Sequence, residues 1–406
     1  MTRLQVLFRS SPGPVPILGG CTEVAVARSL LVLGPLFCRC RPPFPGGGTS
    51  APGTANEREA MNRTTTSAQG TALAAGAADD PLAGLDPEAS APRELDYDAT
   101  VPRGLVHRKA VSEVFVTDSQ QTGEQSFDVA AQLPRGHVML ETPTYDLPLI
   151  LEACRQTGVL ISHRHLNVPM DRAFIMQRMS LHISDLEGLR QGSEPARALV
   201  RTHADLYRNQ AGKLRGYDFR GDVFINGTEV AVATGALIFL TKPTYQLLRA
   251  KGRKTLDWSA GPAPRAVPAA PAVVGRRDPR NVVITDPVQR GDEGWRATVV
   301  PDHSHPHLFD HPLDHLPGNL LIEAARQLAV AAVSRSSGLD PATLVPVSVE
   351  ATFSSFSEND LASVVEADLA PFRADERFGP VAGVDVRVLQ QGVPGSTFRI
   401  EVAQWA

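Results

Sequence analysis

Cysteine is scarce in this chain: there are four in 406 residues, with Cys21, Cys38 and Cys40 near the start and Cys154 alone in the remainder. Scattered thiols make no disulfide framework, and a reducing compartment, hence a cytoplasmic location, is the natural reading. Positive charge is not in excess either. The 40 Lys and Arg against 44 Asp and Glu leave a formal charge of −4. A phosphate-backbone binder needs a basic face, so no nucleic-acid partner is expected. The apolar run Val24 to Phe37 contains Arg28 and Pro35 and falls short of the ~20 residues a bilayer span needs, so no membrane partner is expected. Pro12, Pro14 and Pro16 separate that run from Arg3 and Arg9, which is not the layout of a secretory signal.

What is present begins late. Residues 1–93 are rich in Pro, Gly, Ser, Thr and Ala, as in Pro42-Pro43-Phe44-Pro45-Gly46-Gly47-Gly48. Such composition cannot bury enough apolar surface to offset the entropy of ordering it. This segment reads as a disordered or misassigned extension, with Met61 an alternative start.

Beyond it the chain repeats itself. Leu149-Ile150-Leu151-Glu152-Ala153-Cys154-Arg155-Gln156 returns as Leu320-Leu321-Ile322-Glu323-Ala324-Ala325-Arg326-Gln327, and Phe115-Val116-Thr117-Asp118 returns as Val283-Ile284-Thr285-Asp286. The two matches lie 171 and 168 residues apart, so only three residues are inserted between them. Each copy ends in strands: Asp222 to Leu240 around an Asn226-Gly227 turn of the type I′ kind, and Val384 to Val402 around a Gly392/Gly395 turn. The Pro/Ala-rich stretch between the copies reads as a linker. The expected boundaries are 94–250 for the first copy, 251–280 for the linker and 281–406 for the second.

In each copy one helix is expected, Leu149 to Ile161 and Leu320 to Val333. Glu323, Arg326 and Gln327 fall at i, i+3 and i+4 and share a face, as do Glu152, Arg155 and Gln156. The rest of each cylinder is apolar, the mark of a helix buried on nearly all sides. A single apolar helix wrapped by an antiparallel sheet is an α+β hotdog. Tandem hotdog repeats in one chain form an internal pseudo-dimer.

With these features the sequence resembles the AfsA family, the A-factor-type γ-butyrolactone signal synthases, over roughly residues 105–403. The resemblance is carried by Val106-His107-Arg108, Glu113 to Asp118, Leu151 to Gln156, Ser162-His163 with Val168-Pro169, Asp310-His311-Pro312, Asp314 to Gly318 and Glu323 to Gln327. It implies an acyltransferase that moves a β-ketoacyl group from an acyl carrier protein onto the hydroxyl of dihydroxyacetone phosphate. It implies no cofactor, puts functional positions at Glu152, Glu323 and Arg326, and leaves room for a homodimer.

The residues themselves allow plainer readings. Glu323 and Arg326 suit an ordinary i, i+3 ion pair, but on so apolar a helix a buried carboxylate must be paired or have a raised pKa. A Glu323 drawn toward neutrality could take the proton of the attacking hydroxyl, with Arg326 holding the phosphate or the oxyanion. Glu152 would serve a second site or meet the first across the pseudo-dimer. Arg155, Gln156, Gln327, His311 and His315 are the expected substrate contacts. His303, His305 and His307 form an HxHxH run, but nothing completes a metal set, so no metal is expected. The histidine of the hotdog dehydratase pattern would fall on Phe309, which puts dehydration in doubt. Cys154 matches Ala325 and reads as packing rather than nucleophile. The basic run Arg249, Lys251, Arg253, Lys254 reads as a solvated face, or as a dock for an acidic carrier protein. The competing functions are an acyl-thioester dehydratase or thioesterase and a non-catalytic acyl- or lactone-binding regulator.

Overall fold

Alternating small and polar residues build most of this molecule. In the strand Ala196–Arg208, Ala196, Ala198, Val200, Thr202 and Ala204 are buried while Arg197, Arg201, His203 and Asp205 face solvent. The computed structural model describes residues 93–259, 265–291 and 294–405, all within one unit. The extension expected over 1–93 lies outside them, apart from its last residue.

In the first copy, β1 (Val116–Gly123) and β2 (Ser126–Leu133) precede helix α1 (Leu147–Arg164). Strands β3 (Ala173–Ile183), β4 (Ala196–Arg208), β5 (Leu214–Ile225) and β6 (Thr228–Leu240) follow it, and then helix α2 (Lys242–Arg253). The second copy has β7 (Val288–Arg290), β8 (Gly294–Thr298), helix α3 (Gly318–Ser337), β9 (Leu344–Phe353), β10 (Ser363–Leu369), β11 (Arg373–Asp375), β12 (Gly379–Gln390) and β13 (Val393–Gln404). The strands form one antiparallel sheet. It is joined between copies where β3 pairs with β9, Arg178 opposite Thr352. Outward from that seam the first copy runs β3-β6-β5-β4-β2-β1 and the second β9-β13-β12-β10-β8-β7. The matching orders are the pseudo-two-fold symmetry of a tandem hotdog.

Each sheet wraps one helix. Every residue from Leu320 to Val333 is buried, as is nearly all of α1. At roughly 1.5–3 kcal/mol for each fully buried aliphatic side chain, the cylinder is held by packing rather than by helix propensity, which β-branched Val330 and Val333 do not favour. Asp146 and Pro148 start α1, and Gly338, in the left-handed region at φ 74°, ends α3.

The Asn226-Gly227 turn is as expected, with φ 49° and 87°. In the second copy the turn is Gln391-Gly392, at φ 52° and 78°. Gly395 lies inside β13, because the hairpin closes with Gln390 opposite Val393.

Helix α2 was not anticipated, and it corrects the reading of the basic run as free surface at Arg249, while Lys251 and Lys254 are exposed as expected. Arg249 is buried, its guanidinium donating to Glu358 Oε1 at 2.6 Å and Oε2 at 2.8 Å and to Asp314 Oδ2 at 3.3 Å. It pins the end of the first copy to loops of the second.

Candidate active site

Apart from Arg155, the polar stripe of each central helix is buried with the rest of it, and two arginines close on each glutamate. Glu152 is fully buried. Arg155, one turn on, donates to its Oε2 and Oε1 at 2.8 Å each. Arg108, from the extended arm, donates to Oε1 at 2.8 Å and meets Oε2 at 2.5 Å. Gln156 and Asn319, the latter from the first turn of α3, add bonds at 2.7 and 2.9 Å. Glu323 is treated alike: Arg326 at 2.8 Å to both oxygens, Arg276 at 2.9 and 2.7 Å, Gln327 at 2.6 Å.

Each glutamine also docks its helix onto the arm. Gln156 donates to the Glu113 carbonyl and accepts from the Phe115 amide; Gln327 does the same with Asn281 and Val283.

These clamps overturn one expectation. Burial alone would raise the Glu323 pKa, but the charges and hydrogen bonds of Arg276 and Arg326 hold it down at about 2. For Glu152 burial is likewise outweighed by Arg108 and Arg155, and its pKa lies well below the carboxylate range. A carboxylate that is already ionised and fully bonded is a poor proton acceptor. The clamping arginines Arg108 and Arg276 were missed, although a signal was there: Val106-His107-Arg108 recurs as Val274-Gly275-Arg276 at the same 168-residue offset. Arg276 sits inside the stretch read as a linker.

The surroundings of the two clamps differ. The Arg155 side chain is 23% exposed, that of Arg326 only 5%. Beside Arg155 stands His107, which burial, then the charges of His163, Arg155 and His311, push down to about 3. His311 is partly exposed, its Nδ1 3.1 Å from Asp310 Oδ2, and Asp310 in turn accepts the Lys109 and Ala110 amides. The first clamp therefore opens beside residues drawn from both copies. His315 does not join it. Its Nδ1 lies 2.6 Å from Asp314, which Tyr245 and Arg249 of α2 also hold.

A third buried cluster joins the copies. Ligand-type atoms of Glu113, His137 and His307 lie within 4.8 Å of one another and could by residue type hold a metal ion. The bonds already made commit His137 otherwise. Met139 donates its amide to His137 Nδ1 at 3.2 Å, so the His137 proton is on Nε2, which faces Glu113. An ion there would have to displace that proton. Cys154 is buried and its thiol pushed up to about 12 by burial and by Glu152, so it stays neutral. Phe309 fills the dehydratase histidine position and is buried against His303.

A helix-wrapped antiparallel sheet, duplicated and joined edge to edge, defines a tandem hotdog protein. The chain belongs to the AfsA family: the A-factor biosynthesis hotdog domain matches residues 90–241 and 259–402. It is 35% identical over 277 residues to a 2-oxo-3-(phosphooxy)propyl 3-oxoalkanoate synthase of Streptomyces virginiae, covering 67% of this chain and 88% of the relative. It is 30% identical over 287 residues to the synthase of the same name from Streptomyces coelicolor, covering 70% and 84%. Among solved structures, the 12:0-ACP thioesterase of Umbellularia californica matches with a TM-score of 0.40 and 9% identity, over 69% of this chain and 94% of its own.

Proposed function

We propose that this protein is an acyltransferase that moves a β-ketoacyl group from an acyl carrier protein to the hydroxyl of dihydroxyacetone phosphate, the first step toward a γ-butyrolactone signal. The name shared by the relatives describes such a product: a 3-oxo acid esterified to a phosphooxy-oxopropyl alcohol. The observation that carries the reading is Arg155. Its guanidinium is fixed by two hydrogen bonds to Glu152 and its side chain is 23% exposed, an arrangement that suits a phosphate or a developing oxyanion. Fixing it in advance removes the entropy cost of immobilising a long cation at the moment of binding.

In this reading Glu152 is an anchor and not a base. Glu323, Arg326 and Gln327 do for the second copy what Glu152, Arg155 and Gln156 do for the first, without the opening. Asn319 and His311 bring the second copy to the edge of the site. Phe174 and Met176, partly buried on β3, offer the acyl chain an apolar wall.

The test is mass spectrometry of the purified protein with a β-ketoacyl carrier protein and dihydroxyacetone phosphate. A product containing both the acyl and the phosphate groups is expected. Free β-keto acid alone would mean that water is the acceptor and the protein a thioesterase. No turnover would leave an acyl- or lactone-binding protein.

A further inference from the structure

We propose that His107 is the proton acceptor of the transfer and that His163 is the positioning residue that sets its tautomer; this rests on the reading above and adds the missing base. Val106-His107-Arg108 meets Ser162-His163, 56 residues on, and the neighbouring Val168-Pro169 in one hydrogen-bond chain. The Val168 carbonyl oxygen can only accept, so His163 Nδ1, 2.7 Å away, carries a proton and donates it. Neutral His163 then has its lone pair on Nε2. His107 Nε2 lies 2.8 Å from that atom and has to donate to it. With its proton on Nε2, neutral His107 keeps its lone pair on Nδ1. A backbone carbonyl thus dictates the tautomer through two imidazole rings.

The backbone confirms that the ring is held against local preference. His107 is left-handed, φ 53° and ψ 48°, at the end of a short 3-10 turn. Its counterpart Gly275 has φ 66° and ψ 32°. A side chain in this region carries a steric strain that glycine avoids. The second copy uses glycine, and there a Cβ would meet the Pro341 carbonyl oxygen and Val330 Cγ1 at 3.1 Å. The first copy bears the strain and gains an imidazole, the pattern that marks a functional position. Phe174 packs edge-on against the ring at 4.7 Å and 81° and limits its rotation. Arg155 Nη2 donates to the Val106 carbonyl at 3.1 Å, so the cation stands next to the base.

The step balances with these groups alone. Phosphate binding at Arg155 presents the substrate hydroxyl to His107 Nδ1. The hydroxyl oxygen bonds to the thioester carbonyl carbon as its proton passes to Nδ1. The C–S bond then breaks, and the imidazolium returns the proton to the departing thiolate. Burial first, and then the charge of His163, keep His107 neutral; Arg155 adds to this, and bound phosphate would offset only the Arg155 part.

The decisive variant is His107→Gly in the full chain, because Gly275 shows that glycine suits this turn. It is expected to melt no lower than the parent while kcat falls ~10²–10⁴-fold, the usual worth of a positioned base. His163→Leu should lower kcat ~10-fold or more with KM for dihydroxyacetone phosphate unchanged. His163→Gln, whose carbonyl oxygen again accepts from His107 Nε2, should recover most of that loss. If His107→Gly keeps turnover within about threefold of the parent, or if Leu and Gln at 163 behave alike, the assignment is overturned and the transferase reading stands. A parent chain that forms no phosphorylated keto ester overturns both together.

Discussion

Around Glu152 the helix arginine keeps 23% of its side chain in solvent; around Glu323 its counterpart keeps 5%. Otherwise the two clamps are nearly superimposable in chemistry: one carboxylate, two guanidinium forks and one glutamine amide. The shared part ties a buried helix to the arm that precedes it, which any copy of this fold must do. The differing part is the opening, with His107 in place of Gly275, and Asn319 bonded to Glu152 where Arg276 instead reaches out to Asp146 at 2.7 Å. In the proposed reading, duplication of the acid marks a structural requirement, and the chemistry belongs where the copies diverge.

The sharpest way to break this comparison is Glu323→Gln. It leaves Arg276 and Arg326 buried with one charge too few, and should cost about 3–5 kcal/mol of folding stability in denaturant melts. A normally stable Glu323→Gln that had lost turnover would make the second clamp a catalytic site after all. A crossed pair comes next. Arg326→Met should destabilise by about 2 kcal/mol, with turnover per folded molecule unchanged. Arg155→Met, whose charge is already shared with solvent, should cost no more than about 1 kcal/mol but lower kcat/KM on the order of 100-fold. Equal profiles for the two would erase the distinction between open and sealed.

Acid should loosen both copies, the first through one more strongly depressed histidine than the second. His107 is held down to about 3, His165 and His305 to about 4, in each case chiefly by burial, against an ordinary 6.5. Below 6.5 the unfolded chain takes up protons that these rings refuse, so stability should begin to fall there and continue to fall down to pH 3–4. The carboxylate clamps add their loss only later, as pH falls from 4.5 to about 2 for Glu323. A stability profile flat from pH 6.5 to 4.5 would contradict the buried neutral state of the histidines. Removing His107 as His107→Gly should flatten the upper part of that slope, and Gly275 in the second copy has nothing to remove.

Much of this was legible in the sequence because it is written in local pattern. The collinear repeats gave the tandem hotdog, the apolar cylinders gave the two helices, and Asn226-Gly227 gave its hairpin. The ionisation of Glu152 and Glu323 was not legible, since it depends on Arg108 and Arg276, 44 and 47 residues away in sequence, one of them inside a Pro/Ala-rich stretch. Nor could the pentapeptides reveal which copy is open. Both read Glu-Ala-x-Arg-Gln, and the difference arises from what packs above them. The pairing of His107 with His163 spans 56 residues, and only the fold could bring the two motifs together. Helix α2 was hidden by its charge: a run that reads as solvated surface buries Arg249 because Glu358 and Asp314 arrive from the other copy.

The smallest expected effect concerns the one helix position where the repeats differ by a sulfur. Cys154 and Ala325 occupy equivalent places on α1 and α3, both buried. If the thiol only fills space, Cys154→Ala makes the first helix like the second and costs about 1 kcal/mol or less, the price of a small cavity. Turnover with β-ketoacyl carrier protein should not change, because a buried thiol held near 12 carries almost no thiolate at neutral pH. A covalent acyl-enzyme would demand the opposite: loss of turnover with little loss of stability, and an acyl adduct on intact protein that vanishes in the variant. The raised thiol pKa and the acidic neighbour Glu152 both oppose that route. In the proposed reading, that leaves direct attack by the acceptor hydroxyl on the thioester.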